Sequence, residues 1–281
     1  MSLDDILSAL GANPADIKAF ESLNEFLLGE GRFEELSDHY ERLILKASAQ
    51  AVKENLLKSL DMLMRKQADE AKQDFLCRSL AIIYKQENDL VKSEFYYRKI
   101  SGKPAFAAES REFYVDFYAA RGNWLRLEQF LTEEAQKDGN VDQYGIKRKL
   151  ADTAMKYGNR DKALSYFQAV YALKPDDSSV EETLIDLYRA GEKWHSLAEL
   201  LKEKARRVEK KEEKIEILLQ MVGIFRDKLK AEPKVLATYN NILEIDPANM
   251  ESLNTLQDYF EKTNRWPDLI KILQKKSAAL F

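Results

Sequence analysis

Two histidines, His39 and His195, and one cysteine, Cys77, are the side chains of this 281-residue chain with the widest chemical repertoire. A histidine works as a general base or metal ligand when a second polar group converges on it. The two stand far apart in the chain, and neither has a further ligand at a recognised spacing. His195 follows Trp194 at a predicted helix start, a place for surface or interhelix packing. A lone cysteine excludes an intramolecular disulfide and a cysteine-rich metal site. Cys77 sits among Phe75, Leu76, Leu80 and Ile82, the setting of a small buried hydrophobe rather than a redox thiol. The 10 glycines are scattered, with no strand–loop–helix cradle for a phosphate, and no Ser or Cys stands in a nucleophile elbow. The sequence therefore predicts no catalytic residue, no cofactor and no metal.

Charge narrows the function further. Net charge is −4, with 44 basic and 48 acidic residues interspersed, so no basic excess is available to neutralise phosphates and no nucleic acid is expected as a partner. The densest charge run, "KEKARRVEKKEEK" at 202–214, mixes both signs and reads as a solvated helix end and turn. "YGIKRKL" at 144–150 is a smaller basic face. No stretch approaches the roughly 18 apolar residues of a membrane helix, so no membrane insertion is expected. The first ten residues carry Asp4 and Asp5 where a secretion signal has Lys or Arg, which predicts a cytoplasmic protein.

The elements that would position any site are helices. Hydrophobic residues are 45% of the chain, and they recur at three- and four-residue spacing nearly throughout. Leu184, Leu187 and Tyr188 mark one stripe. Trp194, Leu197, Leu200 and Leu201 mark the next, after a break at Gly191. Gly29, Gly122, Gly158 and Gly191 stand just past such stripes, where a left-handed helix stop is wanted. Stripes of about 14 residues with short breaks predict antiparallel hairpins stacked in sequence order.

Two interleaved ladders reveal the repeat. Pro175 stands at offset +71 from Pro104, and Pro247 at +72 from Pro175. Trp124, Trp194 and Trp266 follow these prolines at +20, +19 and +19, and Phe33 follows Pro14 at +19. Their regular placement predicts core wedges. The unit is thus one proline-to-proline interval, four helices as two hairpins. The first interval, from Pro14 to Pro104, is longer at +90, and "AQAVKENLLKSLDMLMRK" at 49–66 supplies one extra helix. A short helix over about 3–10 caps the front, with Ser2 and Asp5 as its capping box and Gly11 as its stop.

At half that unit the pattern resembles the tetratricopeptide repeat, a 34-residue helix–turn–helix. Ala163, Phe167 and Pro175 fit its spacing, as do Val235, Tyr239 and Pro247. Ala151 and Gly223 fall at −12 from Ala163 and Val235, where a small residue lets the two helices approach. In the copy ending at Pro104, Lys92 stands where Ala is expected, which suggests a register slip of one. The alternate hairpins lack the terminal proline. The resemblance is strongest at 147–175 and 219–247 and weakest before about residue 85.

The expected fold is all-α: a right-handed α-solenoid, a superhelix of stacked antiparallel hairpins. Residues 1–281 would form one solenoid, with divergent helices at 1–66 and more regular hairpins at 67–281. The resemblance implies a non-catalytic protein–protein scaffold whose first helices line a concave groove for a peptide or a partner helix. Mapped here, the groove residues are Arg148, Asp152, Glu182, Asp186, Arg189, Asn254, Asp258 and Glu261. Their acidity predicts a partner segment carrying Lys or Arg. The related half-a-tetratricopeptide repeat of RNA-associated scaffolds is the alternative. The apolar end of the last predicted helix, Leu280 and Phe281, points to self-association or docking there.

Overall fold

Among the described residues the helix-period pattern becomes sixteen α-helices and no strand. The computed structural model describes residues 2–47, 50–137, 139 and 141–280. Ala49 of the expected extra helix and Phe281 of the expected apolar end lie outside the described residues. The chain divides into two compact units, residues 1–142 and 143–281. The first unit holds α1 (Leu3–Ala12), α2 (Ile17–Gly29), α3 (Phe33–Lys46), α4 (Gln50–Lys66), α5 (Glu70–Gln86), α6 (Leu90–Ile100), α7 (Ala107–Ala120) and α8 (Trp124–Lys137). The second holds α9 (Gln143–Lys156), α10 (Arg160–Leu173), α11 (Ser178–Ala190), α12 (Trp194–Arg207), α13 (Lys211–Gly223), α14 (Glu232–Ile245), α15 (Met250–Lys262) and α16 (Trp266–Leu280).

In the second unit each helix packs on its chain neighbours, the construction of an α-solenoid. The first unit departs from it once. The extra helix α4 reverses the chain, so α5 runs parallel to α3 and packs on it as well as on α4. Lys72 of α5 lies 4.1 Å over the Phe33 ring near the start of both helices. Farther along both, the Ser37 and Ser79 hydroxyls meet in a buried contact. The predicted capping box at α1 is present: Ser2 Oγ accepts from the Asp5 amide at 3.2 Å, and Asp5 Oδ2 accepts from the Ser2 amide at 2.9 Å. The helix runs on through Gly11 to Ala12 and stops at Asn13.

The prolines mark joints. At Pro14, Asn13 Oδ1 accepts from the Ala15 amide at 3.1 Å, and Asp16 caps α2 by accepting from Ala19 at 3.1 Å. At Pro247 the same pair of bonds recurs, Asp246 with Ala248 at 3.1 Å and Asn249 with Ser252 at 3.0 Å. Each side chain satisfies an amide that proline's turn leaves without a helical partner. Pro104 instead opens a short 3-10 turn, Pro104–Phe106. Gly122 (φ 67°) and Gly158 (φ 68°) take the left-handed stop. After α11 the stop moves one residue: Gly191 has φ −90° and Glu192 carries φ 52°.

The register slip near Pro104 is real. Ser93, not Lys92, is the small buried residue, and its hydroxyl donates to the Ala81 carbonyl at 2.8 Å. Ala81 and Ser93 then keep the +12 offset of Ala151 and Ala163. Tyr97, four residues on, is the buried aromatic, stacked on Phe113 with centroids 4.2 Å apart.

One element escapes the pattern. α13 continues into a π-helical turn, Ile224–Lys228, in which the Leu229 amide bonds back five residues to the Ile224 carbonyl at 3.0 Å. The turn buries Phe225 and carries Lys228 to 4.9 Å over the Trp194 ring.

Candidate protein-interaction surfaces

The first helices of the second unit, α9, α11, α13 and α15, bury Leu150, Leu184, Leu218 and Leu253 and turn polar side chains outward. Asp152, Glu182, Asp186, Arg189, Asn254, Asp258 and Glu261 are all exposed. They form separate groups on three helices. Asp186 and Arg189 touch at 3.4 Å, and Glu261 accepts from Gln257 Nε2 at 3.0 Å. Gln257 in turn accepts from Lys276 Nζ of α16 at 2.8 Å. α13, which the sequence mapping left out, adds exposed Glu212, Glu213, Glu216 and Gln220. The signal was in its first turn, which carries two glutamates.

Arg148 is placed differently. It is half-buried, contacts Asp152 at 3.3 Å, and donates to Ser179 Oγ of α11 at 3.1 Å. Its guanidinium lies 5.6 Å from the Phe167 ring centre. The same joint holds Asp177, which caps α11 by accepting from the Ser179 and Val180 amides at 3.0 and 3.3 Å. Hydrogen bonds from the Tyr144 hydroxyl and from Ser179 hold the Asp177 carboxyl down to about 2. Arg148 thus supports the α9–α11 joint.

The basic stretch at 202–214 is also structural at its centre. Glu181, buried in α11, pairs with Lys204 Nζ at 3.1 Å and with Arg207. Arg207 further donates to the Pro175 carbonyl, and to the Tyr171 hydroxyl at 2.9 Å. These contacts pin α12 across the proline joint. Burial of such a carboxylate is tolerable only with this pairing.

Grooves lie between successive second helices. One of about 480 Å³ runs between α12 and α14, floored by Leu218, Met221 and Phe225 and edged by Arg206, Lys214 and Lys234. Another of about 460 Å³ lies between α10 and α12, lined by Tyr171, Leu184, Tyr188 and His195. Glu199 borders both. In the first unit a groove of about 560 Å³ is bordered by Lys53, Asp61, Tyr84 and Tyr96.

The aromatic ladder ends unevenly. Phe33 and Trp124 are buried as wedges, and Trp194 is half-buried under Lys228. Trp266 is 56% exposed, so the expectation of a core wedge fails there. Ile270 (56%) and Leu273 (42%) extend it into an apolar stripe on α16. Leu269 and Ile272, on another side of the same helix, are buried.

Chemically, these surfaces are suited to contact. His39 faces Glu35 at 3.7 Å within one helix, and His195 is exposed. Burial pushes the Cys77 thiol up to about 11, out of the reactive range. Among the described residues, no group of three or more His, Cys, Asp or Glu is arranged to hold a metal ion, and no helix is long and apolar enough to cross a membrane.

No family model matches the chain. No curated protein matches it either. Solved structures resemble it at low identity. One is the TPR domain of P58(IPK), at 13% identity and a TM-score of 0.29, covering 98% of this chain and 77% of that one. A tetratricopeptide repeat protein from Parabacteroides merdae gives 14% and 0.31, over 94% of this chain and all (100%) of that one. The APC/C hetero-tetramer Cut9–Hcn1 gives 14% and 0.31, over 98% of this chain and 55% of the matched one.

Proposed function

From this run of tetratricopeptide-like hairpins we propose a non-catalytic scaffold of the cytoplasm that binds a peptide or helix of a partner protein. The contact is made along the outward faces of the first helices of the second unit. The observation that carries the reading is the set of exposed carboxylates there: Asp152, Glu182, Asp186, Asp258 and Glu261. A partner segment bearing Lys or Arg complements them, and such complementarity sets orientation and association rate. Arg189 and Asn254 give the face its directional hydrogen bonds, and Arg148 holds the α9–α11 joint in place behind it. A second contact is made through α16, whose apolar stripe is open.

The test is capture of partners by the tagged chain from a cell lysate, identification by mass spectrometry, and rebinding of the purified partner. Asp186→Lys combined with Asp258→Lys should weaken rebinding at least tenfold while leaving the melting temperature unchanged. Equal rebinding by this double variant would falsify the groove assignment.

A further inference from the structure

The groove between α12 and α14 has a floor that the repeat does not require. Leu218, Met221 and Phe225 of α13 and its π turn form it, all three buried. At offset −72 the residues in the same places are Ile146, Lys149 and Thr153. Two of those three are polar, and the Thr153 hydroxyl donates to the Lys149 carbonyl at 2.6 Å. Packing of the hairpin therefore does not call for an apolar stripe at these positions. Phe225 enters the floor from the π turn, and such wide turns occur frequently at functional sites.

The polar groups on the walls separate into engaged and free. Lys202 and Arg206 of α12 are paired with Glu199 and Glu203 of their own helix, at 3.5 and 2.7 Å. Among the described residues, Lys214 of α13 and Lys234 and Glu244 of α14 have no ion-pair partner, and the Asn241 side chain makes no hydrogen bond. Lys214 and Glu244, one of each sign, line the end where α13 begins and α14 finishes. Lys234 stands at the other end, over the Phe225 ring at 5.3 Å, without an anion to balance it.

These groups specify an occupant. An unbalanced cation beside an apolar floor is complemented by a carboxylate next to apolar side chains. The carboxamide of Asn241, midway along the groove, can donate to and accept from a peptide backbone at once. A helix satisfies its backbone groups internally, whereas an extended chain offers both to Asn241. Lys234 and Ile245 bound the groove along α14 at an offset of +11. That is about 16 Å of helix, the reach of roughly five residues of extended chain. In such a chain the side chains at i, i+2 and i+4 face one way.

We infer that the α12–α14 groove binds an extended segment of a partner protein with the pattern acidic–x–apolar–x–apolar. Its carboxylate meets Lys234, its apolar side chains lie on Phe225, Met221 and Leu218, and its backbone bonds to Asn241. This rests on the scaffold reading, but it uses the second helices of the unit and a partner segment of the opposite charge.

The probe is a displayed library of short random linear peptides, selected on the full chain. It should yield an acidic pool with the acidic–x–apolar–x–apolar spacing, and a synthetic peptide of that pool should bind saturably in fluorescence anisotropy. Lys234→Glu should weaken binding at least tenfold, and a peptide with Lys in the acidic place should recover affinity for that variant. Ala237→Arg, at an exposed position on the groove wall, should block binding while leaving circular dichroism unchanged. Asn241→Ala should weaken binding at least threefold. Absence of the acidic pool, a pool with helical apolar spacing, or equal binding by any of these three variants overturns the inference. A basic pool belongs to the acidic first-helix face and should disappear with Asp186→Lys plus Asp258→Lys, a variant that leaves the acidic pool intact. Failure of that reading and failure of this one are thus told apart.

Discussion

Arg78 and Arg148 stand at matching positions of first helices, at a +70 offset, and each reaches a partner at |i−j| = 31 along the chain. Arg78 Nε donates to Glu109 Oε2 at 2.6 Å, and Glu109 also accepts from the Tyr97 hydroxyl at 2.9 Å. In the next copy Phe167 replaces Tyr97 and Ser179 replaces Glu109, so across the joint Arg148 donates to a hydroxyl at 3.1 Å and stands 3.9 Å from the Asp177 carboxylate. The contact is the same joint with a weaker bond. Arg78→Ala should lower stability by about 2 kcal/mol and Arg148→Ala by about 1 kcal/mol, because a guanidinium bonded directly to a carboxylate is held more strongly than one bonded to a neutral hydroxyl. Chemical denaturation of the two variants compares them directly.

The tryptophans should separate by burial. Trp124→Ala should cost about 3–5 kcal/mol through the cavity it leaves. Trp266→Ala, at 56% exposure, should stay within about 0.5 kcal/mol of the parent. Equal losses in thermal melts would mean that α16 is covered in the free chain.

Cys77 should report on unfolding of the first unit. Its thiol is pushed up to about 11 by burial. At about pH 8, near the ordinary thiol value, a thiol reagent should leave the folded chain unlabelled and modify it fully in denaturant. Rapid labelling without denaturant would show that α5 opens readily.

Glu41 should make stability depend on pH in a direction opposite to most carboxylates. Burial raises its pKa above the ordinary value, and its Oε1 has no hydrogen-bond partner. The folded chain therefore binds its proton more tightly than the unfolded chain does. That contribution is present below the unfolded pKa of 4.5 and is lost as pH rises through the folded one. Glu41→Gln should stabilise the protein more near pH 7 than near pH 4, read as the difference in denaturant midpoint between variant and parent at each pH.

The joints were legible because their chemistry is local. A proline flanked by Asn or Asp specifies both a helix stop and the next cap, so residues 13–16 and 246–249 could be read without tertiary information. The slip at Lys92 was visible as a mismatch, and only the packing of Ser93 against Ala81 resolved it. The role of Arg148 was hidden because outward-pointing and joint-spanning arginines share one helix face, and its partner Ser179 belongs to a different hairpin. The exposure of Trp266 was hidden because the ladder records where a wedge belongs, whereas burial depends on what lies over it. The π turn leaves almost no trace in apolar spacing, since Phe225 is buried either way.

α12 is flanked by α11 and α13, whereas α16 packs on α15 through Leu269 and Ile272. Amide hydrogens of α16 should therefore trade with solvent deuterium soonest in this unit, by an opening that leaves the other helices shut. A partner seated across Trp266 would turn that fraying end into an interior layer. The chain would then register its partner as a slowing of exchange in backbone bonds that the partner never touches.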